Sequence, residues 1–244
     1  MEEFEEFEEP QIELAIIDCD SICYRAAAGA GDDSPVEHAL HNAKGMIDKI
    51  FDFLDPETYT IYLGGEGNFR FDVATSRPYK GNRNQPKPVH LQAVREYIAN
   101  NWGAEFVDGI EADDACATEH TKALTDNIVS CIVSIDKDMQ QLYGWHFNFV
   151  KERLFWVDEL TAKRNFWYQM LVGDTSDNIQ GVKDIGPKKA TRILDMCPDE
   201  MSMIEAVRKE YQKCYGDSWL ESMTENGRLL HLRRFEGEVW QCPI

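Results

Sequence analysis

Eight carboxylates stand in short, chemically suggestive groups along the 244 residues of the chain. Asp18 closes the apolar run LAIID. Glu111, Asp113 and Asp114 sit in EADDA, and Asp136 and Asp138 in DKD. Asp174 and Asp177 open the stretch GDTSDNIQGVKDIGPKKATRIL, residues 173–194. Asp136 and Asp138, two apart in an extended segment, point the same way. Asp174 and Asp177, three apart, share a face if their turn is helical. Taken singly, such groups are ordinary caps at helix starts. Gathered at one place they would repel one another unless cations neutralised them. Only oxygen donors are on offer, which selects Mg2+ or Mn2+ over zinc. Two such ions ~4 Å apart would clamp the attacking and leaving oxygens of a phosphodiester.

The last acidic pair is followed at once by base. Gly181 and Gly186 are spaced like the glycines of a phosphate loop, but Pro187 follows the second glycine where Lys is required, and no strand is expected before them. The stretch reads instead as a helix ending at Val172, the hairpin GVKDIG, and a second helix opened by Pro187 at its favoured first position. Gly181 and Gly186 let a backbone come close to a ligand, and the free N–H groups at the second helix start suit a phosphate. Lys188, Lys189 and Arg192 flank the same anion. This is a helix-hairpin-helix grip on a DNA backbone, blind to sequence.

These groups must be carried by elements that bring them together. LAIID (14–18), TYTIYL (58–63), AEFVDG and IVSCIVSI (128–135) read as strands, and WHFNFV with RLFWV as a hairpin. Helical spacing runs over 35–54, 89–101 and 112–124. Residues 64–88, rich in Gly, Asn, Pro and base, read as a long loop. The fold class is therefore α/β: a mainly parallel central sheet with helices on both faces, followed by a C-terminal helical part that carries the helix-hairpin-helix element. The expected division is an acidic arm over 1–11, a catalytic α/β core over 12–157, and a helical region over 158–244 packed on it as one unit, with the DNA-binding motif at 173–196. In such a sheet the C-terminal strand ends share one edge, and Asp18, Glu111, Asp113, Asp114, Asp136 and Asp138 should converge there.

Composition limits the alternatives. A net charge of −19 argues against a protein that coats nucleic acid by bulk attraction, but metal-binding carboxylates are part of that sum. Base is confined to a few places: Arg77, Lys80, Arg83 and Lys87 form one cluster, and Lys183, Lys188, Lys189 and Arg192 another. No apolar run approaches a membrane span, and MEEFEEFEEP is the reverse of a basic leader, so a cytoplasmic protein with no membrane partner is expected. The seven cysteines are odd in number and scattered, and read as reduced thiols.

IDCDSICYRA, YKGNR, EADDACA, SIDKDMQQL and GDTSDNIQGVKDIGPKKA stand in the order found in 5′-nucleases. Over residues 12–240 the chain resembles that superfamily, which includes flap endonucleases and the 5′-exonuclease part of bacterial DNA polymerase I. It looks most like the small free-standing phage 5′-to-3′ exonucleases, whose ending is similar to GRLLHLRRFEGEVW. The resemblance implies that Asp18, Glu111, Asp113 and Asp114 hold a first ion, and that Asp136, Asp138, Asp174 and Asp177 hold a second. It places Lys80 and Arg83 at the base of a helical arch, facing the scissile phosphate. As a cation there, Lys80 could offset charge developing in the transition state. Tyr79 could stack on an end base, with Arg77 and Lys87 as further DNA contacts, and Arg25 could brace an acid.

Three departures stand out. Gly64 and Gly65 occupy the end of the second strand, where an Asp is usual, so one ligand is missing unless Glu66 substitutes. The span from Tyr79 to Glu111 is short for a full arch, which makes NRNQPKP a basic loop. Gln180 and Asp184 replace a Pro and a Gly of the hairpin, and Asp184 opposes a phosphate. The expected function is a monomeric, metal-dependent 5′-to-3′ exonuclease, extending to flap cutting, on 5′ ends of duplex DNA in phage replication or recombination. The rival readings are a ribonuclease on the same acidic core and a DNA-end binding protein without chemistry.

Overall fold

The computed structural model describes residues 10–243, so all but the end of the expected acidic arm lies outside the described residues. β1 (Leu14–Asp18) is buried along its whole length, and alternate side chains serve opposite faces. Ala15 and Ile17 join one apolar cluster; Leu14 and Ile16 join another. α1 (Asp20–Ala30) and α2 (Val36–Leu54) cover the first face. β2 (Thr58–Gly64) runs parallel to β1, pairing Leu14 with Thr58 and Asp18 with Tyr62. A short helix, α3 (Arg70–Val73), interrupts the expected loop, and α4 (Leu91–Trp102) then packs against α1 and α2. β3 (Glu105–Val107) leads to α5 (Ala112–Thr125) on the second face. β4 (Ser130–Val133), shorter than the apolar run around it, lies parallel on the other side of β1. A 3-10 turn (Lys137–Gln141), β5 (Gly144–Asn148) and an antiparallel β6 (Arg153–Val157) complete a sheet ordered β3-β2-β1-β4-β5-β6.

α1 carries the one long helix that sequence spacing does not announce. Its buried residues are Ile22, Cys23, Ala26 and Ala27, mostly small, so its apolar stripe is weak. No helix among the described residues is long and apolar enough to cross a membrane. All seven cysteines are free.

The C-terminal part has its own apolar cluster. α6 (Glu159–Val172) runs into a two-stranded ladder, β7 (Gly173–Asp174) and β8 (Ile179–Gln180), followed by α7 (Pro187–Leu194), α8 (Glu200–Tyr215) and α9 (Trp219–Leu230). Tyr211 on α8 donates to the Met170 carbonyl at 2.7 Å, and Asn226 on α9 donates to the Gln180 carbonyl at 2.8 Å. These bonds fix the ladder against three helices. β8 corrects the expectation of no strand before Gly181; two residues are too few for any alternation to register. The turn between Asp174 and Asp177 is a hairpin turn, not helical, with Asn178 left-handed at φ 62°.

Gly181 does not face a ligand. It is buried, and a Cβ there would lie 2.3 Å from the Val172 carbonyl carbon and 2.4 Å from the Gly173 nitrogen. The residue lacks a side chain because two backbones meet at the end of α6. Gly181→Ala should therefore destabilise the protein by about 2 kcal/mol or more, the upper part of the cost of overpacking. A lowered urea midpoint at unchanged m-value would show it; an unchanged midpoint would refute the packing account.

Candidate active site

The C-terminal ends of β1 and β4 and the start of α5 open on one cavity of about 550 Å³, lined by Asp18, Asp20, Glu111, Asp113, Asp136, Lys80 and Arg83. Each acid is held there by its local structure. Asp18, last in β1 and 8 % exposed, accepts from Ser134 Oγ at 3.0 Å, and the same hydroxyl accepts the Asp136 N–H at 3.0 Å. One serine thus ties the ends of two strands together. Burial, with Asp20 beside it, pushes the Asp18 carboxyl up to about 7. Asp113 is raised well above the carboxylate range by burial and then by Asp114.

Asp136 caps the 3-10 turn and accepts the Asp138 N–H at 2.9 Å. Burial raises its carboxyl, and the charges of Asp174 and Asp177 act in the same direction. Asp138 is pushed up to about 7 by burial, then by Asp136 and Asp174. Asp174 itself accepts the Ser176 N–H at 2.8 Å and its hydroxyl at 2.5 Å, which shapes the hairpin turn. The acids thus fall into two neighbouring groups, one around Asp18 and one around Asp136.

Tyr79 stands between the groups. Its hydroxyl lies 2.8 Å from Glu111 Oε2 and 2.6 Å from Asp177 Oδ2. The ring is 5 % exposed and packs edge-on to Phe71 at 5.6 Å. Stacking on a DNA base is therefore not its role; burial, and then Glu111, raises the phenol far above its ordinary range. Lys80 Nζ pairs with Glu111 and lies 3.8 Å from Asp177, while Arg83 reaches Asp177 Oδ1 at 2.5 Å. Both expected cations line the cavity, where they pair with Glu111 and Asp177. Glu225 on α9 anchors the segment that carries them: its carboxylate accepts the N–H and hydroxyl of Thr75 and of Ser76, at 2.6–2.8 Å.

Asp114 faces the other way. It is fully buried, and its two oxygens accept four bonds: Arg70 Nη1 at 2.5 Å, Arg70 Nη2 at 3.0 Å, the Arg233 N–H at 3.0 Å and the Glu111 N–H at 3.3 Å. A carboxylate offers about four lone-pair positions, so none remains for a cation. Asp114 instead completes the capping box that positions Glu111. Its partner Arg70, 2 % exposed, also donates to the carbonyls of Leu229 at 2.9 Å and His231 at 3.2 Å. Burial opposes the charge on Arg70, and Asp114 more than offsets this, raising its pKa.

Sequence reasoning missed Arg70, set between two phenylalanines in a stretch read as loop. It also missed Asp20, although Asp18 and Asp20 repeat the spacing of Asp136 and Asp138. Glu66 is exposed and does not line the cavity, so it does not replace an acid at Gly65. Arg25 is exposed on α1 and makes no ion pair among the described residues; Arg70 and Arg95 brace acids instead. Away from the cavity, Gly186, Lys188, Lys189 and Arg192 are exposed on and before α7, with Lys189 Nζ 3.7 Å from Glu210. Arg77 is exposed beside Asn178 and Gln180, and Lys87 is exposed in the loop before α4.

Fold and site define the class: an α/β protein of the 5′-nuclease type, with acids gathered at one sheet edge and a cationic rim beside them. The chain belongs to the 5′-3′ exonuclease family, whose N-terminal resolvase-like domain matches residues 13–169. It is 30% identical over 226 residues to DNA polymerase I of Caldicellulosiruptor bescii, covering 83% of this chain and 26% of that one. The chain thus spans about a quarter of that relative's length. It is 26% identical over 211 residues to the flap endonuclease Xni of Photobacterium profundum, covering 80% of this chain and 81% of that one. Its fold is similar to the crystal structure of the bacteriophage T5 flap endonuclease in a pseudo-enzyme–product complex with DNA and metal ions. That match has a TM-score of 0.70 at 19% identity and covers 90% of this chain and 89% of the other.

Removing Arg70 would leave Asp114 charged, buried and unpaired. Arg70→Met should cost about 3–5 kcal/mol of stability, the usual penalty for breaking a buried pair from one side. Chemical denaturation measures it, and a loss under about 1 kcal/mol would show that the pair holds nothing in place.

Proposed function

We propose that the protein is a divalent-metal-dependent nuclease acting at 5′ ends of duplex DNA, as a 5′-to-3′ exonuclease that also cuts flaps. The observation that carries this reading is the cavity where acids from β1, α5 and the turn after β4 meet Lys80 and Arg83.

The residues present fit metal ions. The donors are all oxygen, and two of the side-chain oxygens at this edge, Asp138 Oδ1 and Ser21 Oγ, are buried with no hydrogen-bond partner, as are Thr60 Oγ1 and Gln141 Oε1 elsewhere. Buried polar atoms left so are normally completed by an ion or a water. Among the described residues no three acids or imidazoles form a ready-made cage. That suits Mg2+, which binds through one or two carboxylates and keeps several waters, and Mn2+, which shares its oxygen preference. One ion would lie among Asp18, Glu111 and Asp113, held directly by one or two of them and through water by the rest, and the other among Asp136, Asp138, Asp174 and Asp177 in the same way. When bound, such ions polarise a phosphodiester and make water a stronger nucleophile.

The chain supplies the remainder. Lys80 and Arg83 sit at the rim, paired with Glu111 and Asp177, and their head groups would be the cations nearest a phosphate bound there. The hairpin turn before α7, with exposed Gly186, Lys188, Lys189 and Arg192, supports a helix-hairpin-helix grip on the duplex backbone. Arg77 and Lys87 extend that surface, and exposed Asp184 in the same turn weakens it. The resemblance of its motifs to those of the small phage exonucleases is the ground for proposing a place in phage DNA replication or recombination, in the host cytoplasm.

Incubation of 5′-labelled duplex with Mg2+ or Mn2+ should release short 5′ products. Asp136→Asn should lower turnover by a factor on the order of 100 or more while duplex affinity changes little, as loss of a group used in the chemical step requires. Folded wild-type protein that releases nothing in either metal would refute the assignment. Separately, Lys188→Ala with Arg192→Ala should weaken duplex binding across all sequences and reduce the slope of log K against log salt by about 2. An unchanged slope would move the DNA grip elsewhere.

A further inference from the structure

Three of the four strands from β1 to β4 deliver an acid to the cavity from their C-terminal ends: Asp18 ends β1, Glu111 follows β3, and Asp136 follows β4. β2 ends in Gly64, and Gly65 follows. Neither position is a vacancy. A Cβ on Gly65 would lie 2.1 Å from Asp108 Oδ1 and 2.7 Å from the Val107 carbonyl oxygen, so backbone and side chain already close that site. A Cβ on Gly64 would lie 2.9 Å from Asp20 Oδ2, and the one other atom within reach is Asp20 Cγ at 3.9 Å. The space a side chain at 64 would take is filled by the Asp20 carboxylate alone.

That carboxylate comes from the first turn of α1 and lines the cavity with Asp18. Its Oδ2 accepts the Gly64 N–H at 3.0 Å, and Oδ1 pairs with Arg95, which also holds the Gly64 carbonyl. Arg95 in turn lies over the Phe106 ring, 5.3 Å from its centroid. Each Asp20 oxygen therefore has one partner and a second acceptor position in reserve. The neighbouring Ser21 Oγ, on the same wall, is one of the unpartnered buried oxygens described above. An acid that only completed an ion pair with Arg95 would not need to occupy the mouth of the cavity.

We propose that Asp20 is a cation-facing carboxylate of this centre, delivered from α1 into the volume that β2 leaves open at Gly64. The inference rests on the metal-dependent reading above. It makes positions 20 and 64 alternatives: one carboxylate fits, from either backbone, but not two.

Titration of Mn2+ against the DNA-free protein, followed by the electron paramagnetic resonance of the free ion, tests this without reference to turnover. Asp20→Asn keeps the shape and removes the charge, and should weaken Mn2+ binding roughly tenfold or more. Asp20→Gly should do the same. Asp20→Gly combined with Gly64→Asp returns a carboxylate to the same space from β2, and should recover affinity to within a few-fold of wild type. Thermal melts confirm which variants are folded; should either glycine exchange unfold the protein, Asp20→Asn decides alone. Wild-type Mn2+ affinity in Asp20→Asn, with affinity lost in Asp136→Asn, overturns the role of Asp20 and leaves the parent reading standing. Wild-type affinity in both Asp18→Asn and Asp136→Asn removes the metal centre itself, and this inference with it.

Discussion

Mutual repulsion of carboxylates is the constraint around which this molecule is arranged. Parallel strands point their C-terminal ends the same way, so the acids that follow them are forced onto a common edge. The protein meets the resulting electrostatic cost by three means. Arginine and lysine pair with some acids: Arg70 with Asp114, Lys80 with Glu111, and Arg83 with Asp177. Hydroxyls and backbone N–H groups satisfy others, as Ser134 does for Asp18. Asp18, Asp113, Asp136 and Asp138 nonetheless keep a raised affinity for protons, so protonation is the third means by which this edge sheds charge.

The two halves of the chain divide this work. The sheet positions Asp18 and Asp136 through strand register and one shared serine. The C-terminal helices contribute the turn that carries Asp174 and Asp177 and the glutamate that anchors Thr75 and Ser76. Tyr79 belongs to the apolar cluster of the second half, yet its hydroxyl touches an acid from each group. Buried ion pairs are weak evidence of stability in themselves. Here the Arg70–Asp114 pair does something else: it fixes the helix start from which Glu111 and Asp113 project.

Much of this was legible in the amino-acid order. Apolar runs ending in acid located β1 and β4, and the alternating pattern around Lys151 and Glu152 located the β5–β6 hairpin. All but one of the acids that line the cavity were found because their spacing is short and their positions follow strands; Asp20, in the first turn of α1, was not. Two helices were not found: α1 buries mainly small Cys and Ala, and α3 has only four residues. Nor can spacing tell which way a carboxylate turns. Asp113 and Asp114 are equivalent on paper, and only packing of the segment around Leu229 to Arg233 commits Asp114 to Arg70. Tyr79 and Gly181 misled for a related reason. An aromatic beside base and a glycine before a turn both suggest ligand contact, and both are consumed by internal packing.

The clasp on Arg70 joins residues 159 apart in the chain, and the one on Asp114 joins residues 119 apart. Chains emerge from the ribosome in order, and early segments fold before late ones exist. The sheet and its helices can therefore form while synthesis continues, but Arg70 and Asp114 must wait for residues 229–233 to emerge. The acidic edge is therefore among the last regions able to set during biogenesis, and a chain halted just short of that point has its first strands but an unclasped centre.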